Sequence, residues 1–251
     1  MKKLKRKLKA LAFITVLILG LTLGVSKVVT VTNTVNGKEL PIYSVETEEK
    51  KVALSFDAAW GNEDTKQILD ILQKYDVKVT FFMTGGWVEK FPEDVKAIYE
   101  AGHDLANHSE NHKNMSQLSN EECKSELMKV HERVKELTGM EMDLFRPPYG
   151  DYDNEVIINA KECNYFTIQW SVDSLDWKDY GVENIVKTVT EHKELKNGAI
   201  ILMHNGAKYT AEALPIIIEK LQAQGYEIVP VSELIYREDY HLDVTGRQIK
   251  N

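Results

Sequence analysis

Five short stretches of the chain carry side chains able to move protons or hold an ion. The first is Val52-Ala-Leu-Ser-Phe-Asp57-Ala-Ala-Trp-Gly61, an apolar run that ends in a single carboxylate. A bare carboxylate delivered to the end of a buried run calls for a partner or a chemical role. The second, Asn107-His108-Ser-Glu-Asn-His112, holds two histidines four residues apart. On a helix that spacing stacks both imidazoles on one face, as in divalent-metal chelation. A polar loop that happens to contain two histidines is the other reading. The third, Phe145-Arg146-Pro-Pro-Tyr149-Gly150, launches a guanidinium from a backbone stiffened by two prolines. Beside an aspartate, such an arginine keeps the acid ionised and oriented. The fourth, Asp173-Ser-Leu-Asp176-Trp177, offers two acids to orient a catalytic imidazole and an indole to face a sugar ring, although core packing is the common fate of a tryptophan. The fifth, Ile201-Leu202-Met-His204-Asn205, ends an apolar run in a histidine, the usual proton donor near neutral pH.

These residues need a scaffold, and the hydrophobic pattern supplies one. From Lys51 onward, seven apolar runs (VALSF, VTFFM, DLAN, MDLF, YFTIQWSV, AIILM and EIVPV) alternate with amphipathic stretches of helical period. Gly102, Gly139, Gly198 and Gly225 fall where helices should stop. Alternation of this kind implies a parallel sheet covered by helices. No Gly-x-Gly-x-x-Gly follows any strand, which weakens a dinucleotide-binding sheet. Polar clusters follow strand after strand, as they do where the loops at the carboxyl ends of barrel strands build one mouth. The pattern leaves an open doubly wound sheet or a barrel of about seven parallel strands, and the strand-end clusters suit the barrel.

Residues 1–27 differ from the rest. MKKLKRKLK carries six of the 31 Lys and Arg, and 16 uncharged residues follow it. That is the basic and apolar pattern of an export signal, either removed or kept as a membrane anchor. The run is marginal for a span, which needs about 17–25 residues. Residues 28–49 are expected as a spacer with edge strands around an Asn36-Gly37 turn, 50–237 as the functional domain and 238–251 as a tail. Positive-inside logic places everything beyond Lys27 outside the cytoplasm. None of the 39 acids precedes that lysine, so the exported part is strongly acidic. Such a surface excludes nucleic acid as a charge-driven partner and suits a neutral or amino-bearing substrate. Cys123 and Cys163 match no zinc or disulfide framework and are expected as free thiols on helices.

Taken in order, S-F-D, H-x-x-x-H, R-P-P-Y-G, D-S-x-D-W and I-L-x-H resemble the motifs of the NodB-type polysaccharide deacetylases, carbohydrate esterase family four. The resemblance covers roughly residues 50–235. The S-F-D-A-A-W-G variant and the basic amino terminus look most like the sporulation-associated members from endospore-forming bacteria. The resemblance implies an irregular (β/α) barrel of about seven parallel strands and hydrolysis of N-acetyl groups from amino sugars of a cell-wall glycan. It implies Asp57 as general base, oriented by Arg146, with the Tyr149 backbone amide receiving the oxyanion. His204 would protonate the departing amine, tuned by Asp173 or Asp176. Trp177 and Leu202 would line the sugar and acetate-methyl sites. His108 and His112 would hold a divalent metal such as zinc, cobalt or manganese.

One position departs from the family. Members usually read S/T-F-D-D-G, and the second Asp completes the metal's ligands; here it is Ala58. Three outcomes are open: Asp57 turns to bind the ion, Glu63 or Asp64 replaces the lost ligand, or metal is held weakly. The last includes a catalytically weak or inactive glycan-binding module of the same fold.

Overall fold

β4 (Lys51–Ala58) explains the architecture, because every residue after its first is buried. Side chains alternate across a strand. Val52, Leu54, Phe56 and Ala58 join the large apolar cluster shared with the helices, whereas Ala53 joins a second, inner cluster with Phe82, Ala106, Leu144, Ile168 and Ile200. Ser55 and Asp57 therefore fall on the inner side, two polar residues at the upper end of an apolar interior. A strand covered on both faces belongs in the interior of a parallel sheet under helices, and this one is flanked by a parallel strand on each side.

The computed structural model describes residues 34–251, so the expected export segment lies outside the described residues. Among those residues no helix is long and apolar enough to cross a membrane. The other parallel strands are β5 (Thr80–Met83), β6 (Asp104–Asn107), β7 (Leu144–Phe145), β8 (Phe166–Thr167), β9 (Val172–Asp173), β10 (Ile200–His204) and β11 (Glu227–Val229). Six of them and β4 run in the order β8-β7-β6-β5-β4-β10-β9, and β11 pairs with the start of β4. The fold is the expected irregular (β/α) barrel. The stretch YFTIQWSV, expected as one strand, instead forms two short ones at opposite ends of that order, β8 and β9.

The gap between those ends is bridged by the segment leading into β3 (Ser44–Val45). Ile42 donates its N–H to Thr167 O at 2.8 Å and accepts from Gln169 N at 2.7 Å, while Val45 N reaches Gly198 O at 2.9 Å. β1 (Thr34–Val35) and β2 (Lys38–Glu39) form a hairpin before it, turning at Asn36 and Gly37, both with positive φ. Residues 238–251 pack against the barrel: β12 (Tyr240–Leu242) pairs with β13 (Arg247–Lys250), which runs parallel to β3.

The helices are α1 (Thr65–Lys74), α2 (Gly85–Lys90), α3 (Pro92–Glu100), α4 (Asn120–Thr138), α5 (Asn154–Glu162), α6 (Val182–Thr190), α7 (Thr210–Ala223) and α8 (Val231–Leu234). The longest, α4, opens on a capping box between Ser119 and Glu122 and stops at Gly139 in the left-handed conformation. Cys123 on α4 and Cys163 at the end of α5 are free thiols.

Candidate active site

Asp57 and His204 end neighbouring strands and are direct register partners across β4 and β10. Around them a cavity of about 500 Å³ is lined by Asp57, Trp60, His108, His112, Tyr149, Trp170, Asp173, Trp177, Leu202 and His204, with Ala59. Of the expected site residues, eight face this one space. The other two, Arg146 and Asp176, lie behind it and are fully buried.

Arg146 grips Asp57 from below. Its Nη1 donates to Asp57 Oδ1 at 2.7 Å, and its Nη2 donates to Ser55 Oγ at 2.8 Å and Gln169 O at 3.3 Å. The guanidinium lies 4.0 Å from the centroid of Phe82 and 5.6 Å from that of Trp170. Burial pushes the Asp57 carboxyl up, but Arg146, with His108 and His204, more than offsets it and holds the group below its ordinary range. The acid is thus ionised and held in place, a state in which it can accept a proton.

His204 is held from the other side. Asp176 Oδ1 stands 2.7 Å from His204 Nδ1, and Asp176 Oδ2 accepts from the His204 backbone N–H at 2.8 Å and from Thr210 Oγ1 at 2.6 Å. Burial lowers the pKa of the imidazole, yet Asp176 and the more distant Asp57 and Asp173 raise it above the ordinary value. With Nδ1 committed to Asp176, Nε2 is the nitrogen left for proton transfer. The sequence left Asp173 and Asp176 as equal candidates for this contact, and the structure assigns it to Asp176. Asp173 lines the cavity and accepts from Leu175 N at 2.8 Å.

The histidine pair corrects one expectation. Residues 108–112 form no helix, and Ser109 and His112 take positive φ values of 65° and 53°. The spacing of four resembles a helical pair, but the chain turns here through side-chain bonds: Ser109 N donates to Asn107 Oδ1 at 2.9 Å, and His112 N donates to Ser109 Oγ at 3.1 Å. α4 pins the loop through Glu126, which accepts from Asn111 N and Nδ2, both at 2.7 Å, and through Arg133, which binds Glu110 in a bidentate pair. The two rings meet edge-on with centroids 4.9 Å apart. His108 places Nε2 at 3.4 Å from Asp57 Oδ2 and Nδ1 at 2.7 Å from Arg146 O. Burial drives the His108 pKa down to about 4, so the ring is neutral, the form in which imidazole ligates an ion.

His108 and His112 are two donors; the carboxylate beside them, Asp57, has Oδ1 engaged by Arg146 and Oδ2 3.4 Å from His108 Nε2. Ala58 is fully buried in the outer apolar cluster and does not line the cavity. Asp64 is engaged elsewhere, its Oδ1 accepting from Gly206 N at 2.8 Å, and neither it nor the exposed Glu63 lines the cavity. Among the described residues, no group of three or more His, Cys, Asp or Glu side chains is arranged to hold a metal ion. Catalytic zinc normally takes three protein ligands. The residues present therefore do not fit a complete metal centre.

Tyr149 sits on the opposite rim with φ 60° and ψ 7°, a left-handed backbone in a residue other than glycine. Its ring meets His112 edge-on at 4.5 Å. Leu202, one alternation before His204, faces the same cavity. Sequence reading missed Ser55, Thr210 and Trp60. Ser55 was legible as the inward position before Asp57 in strand alternation. Thr210 carried no signal, because its role depends on α7 docking beside Asp176.

A model for "Polysaccharide deacetylase" matches residues 44–168. The chain is 39% identical over 202 residues to a peptidoglycan-N-acetylglucosamine deacetylase of Bacillus cereus, covering 77% of this chain and 92% of that protein. It is 37% identical over 195 residues to the uncharacterized protein YlxY of Bacillus subtilis, of which it spans only 60%, against 78% of its own length. Among solved structures, BA3943 of Bacillus anthracis, described as a carbohydrate esterase family four pseudoenzyme, superposes with a TM-score of 0.75 at 35% identity, over 84% of this chain and 70% of that one. A mutant of BA3943 is described as having restored enzymatic activity. The chain belongs to the polysaccharide deacetylase family, hydrolases of an amide C–N bond. Deacetylases of this family generally depend on a divalent metal, which makes the short donor set at His108 and His112 a departure from the family.

Proposed function

We propose that this protein removes N-acetyl groups from amino sugars of a peptidoglycan-like glycan outside the cytoplasm. The observation that carries the reading is the pairing of Asp57 with His204. They are register partners on adjacent strands, one held anionic by Arg146 and the other held by Asp176, and both open into one cavity. In the proposed reaction, Asp57 takes a proton from water as its oxygen bonds to the acetyl carbon. The backbone N–H of Tyr149 donates to the resulting oxyanion. The C–N bond then breaks, and His204 Nε2 delivers a proton to the departing nitrogen, leaving acetate and a free amine. Leu202 faces the acetate methyl, and Trp177 offers a ring face to the sugar. A zinc, cobalt or manganese ion would be held through His108 and His112, and the proton transfers are assigned to Asp57 and His204. The Ser-Phe-Asp-Ala-Ala-Trp-Gly variant and the basic amino terminus support a role in sporulation, with residues 1–27 as signal or membrane anchor.

The test is acetate release from N-acetylglucosamine and N-acetylmuramic acid oligomers, with and without added zinc, cobalt or manganese. Turnover is expected, with Asp57→Asn and His204→Ala each lowering it by roughly 10²- to 10⁴-fold. Absence of acetate under every condition overturns the reading. The short donor set and the likeness to a pseudoenzyme favour the alternative, a glycan-binding module without turnover. That module binds the same oligomers saturably, keeps doing so in Asp57→Asn, and loses binding in Trp177→Ala.

A further inference from the structure

Trp60 closes the variant motif after Asp57, and nothing above gives it a task. Its indole lies flat on the His204 imidazole, with centroids 5.0 Å apart and planes 17° apart. The residue is 47% exposed, so burial alone does not hold it there. The loops do. Gly61 O accepts from Trp87 Nε1 at 3.1 Å and from Asn205 Nδ2 at 3.3 Å. Asn205 Nδ2 also donates to Thr65 Oγ1 at 3.0 Å, and Gly206 N donates to Asp64 Oδ1 at 2.8 Å. Gly206 has φ +78°, and a Cβ there would stand 3.1 Å from Gly61 N and 3.3 Å from Trp60 Cβ. The loop after β4 is therefore clamped onto the turn after β10, with Trp60 of that loop stacked on His204 at the end of β10.

That stack fixes what Asp176 leaves free. A hydrogen bond at Nδ1 sets one point of the imidazole but allows the ring to swing about it. An aromatic face pressed on the ring removes this freedom and leaves the Nε2 edge open to the cavity. We propose that Trp60 is a positioning residue that fixes the plane of His204, and with it the direction of proton delivery to the departing amine. The proposal rests on the reading of His204 as the acid. A protonated imidazole also gains from lying over an indole face. The charged and titratable groups around His204 are Asp57 from β4, Asp173 from β9, Asp176 from the following turn, and His112 from the loop after β6.

The experiment compares Trp60→Phe and Trp60→Ala in the full chain, reading kcat and KM separately and following the His204 ring by NMR titration. Trp60→Phe keeps a stacking ring and is expected to retain most of kcat. Trp60→Ala is expected to lower kcat by roughly 10- to 100-fold, the scale of a misplaced catalytic group, with KM little changed. Its His204 titration moves to lower pH, and the ring signals broaden. A Trp60→Ala protein that raises KM alone and leaves the His204 titration untouched overturns the proposal and makes Trp60 a sugar platform. If the parent chain releases no acetate, the deacetylase reading fails while the NMR titration still decides whether Trp60 holds His204. Should Trp60→Ala not fold, the Trp60→Phe titration and its kcat carry the decision: a large loss of kcat with the ring retained counts against positioning by stacking.

Discussion

Asp57 and His204 are tuned in opposite directions by partners that do not touch substrate. Burial alone disfavours both charged forms. Burial is the largest single influence at each, yet Arg146, His108 and His204 together outweigh it at Asp57, and Asp176, Asp57 and Asp173 together do so at His204. The reaction needs Asp57 ionised, above its lowered pKa, and His204 protonated, below its raised pKa. Both shifts widen the pH window in which the productive pair exists. The alkaline limb of the rate profile belongs to His204 and the acid limb to Asp57. Replacing Asp176 with Asn removes the anion that raises the His204 pKa while preserving most of the local shape. The alkaline limb of kcat/KM should then move to lower pH, with the acid limb in place. An unshifted alkaline limb in Asp176→Asn assigns the acid role to another group.

At the scale of elements, each strand delivers its side chain because the next loop is tied down by a helix. The clearest case is the histidine loop, whose positive φ values at Ser109 and His112 cost of order 1–3 kcal/mol each and need outside support. Glu126, buried on α4, supplies it by accepting both Asn111 donors. Glu126→Ala leaves those donors without their partner and should destabilise the fold by about 1–3 kcal/mol. It should also lower turnover, since the loop is free to carry His108 and His112 away from Asp57. Urea denaturation paired with acetate release checks both effects. The same example marks where the sequence stops being legible. The alternation of apolar runs and amphipathic stretches identified most strands and helices, and the polar residues at strand ends identified the mouth. The H-x-x-x-H spacing pointed to a helix because periodicity reports side-chain order and carries no information about Asx and serine turns. YFTIQWSV read as one strand because nothing in its composition reveals that its two ends pair with different neighbours. Trp60 and Thr210 were invisible for a related reason: their partners come from another strand or helix.

The whole molecule keeps its mouth in shape by closing the barrel below it. β8 and β9 follow each other in the chain yet sit at opposite ends of the strand order, so the interval between them has to be bridged by something else. Ile42 and Val45 do this from the amino-terminal side, and β13 backs them through its pairing with β3. Gln248, fully buried, completes the seal by accepting from Tyr236 N and donating to Tyr236 O, both at 2.9 Å. The tightest point of this closure is Gly198, at φ +79°, where a Cβ would lie 1.8 Å from Val45 O. No rotamer relieves that contact, because the obstructing atom is backbone. Gly198→Ala must therefore displace the β3 segment or the start of β10, on top of the roughly 1–2 kcal/mol that a left-handed alanine costs. The expected loss is at least about 2 kcal/mol in urea unfolding. A shift at the start of β10 also travels along the strand to His204, five residues after Ala199 and in register with Asp57. Turnover should fall even at temperatures where Gly198→Ala stays folded. A variant that loses stability and keeps full activity would mean that the barrel's closure and its catalytic mouth are mechanically independent.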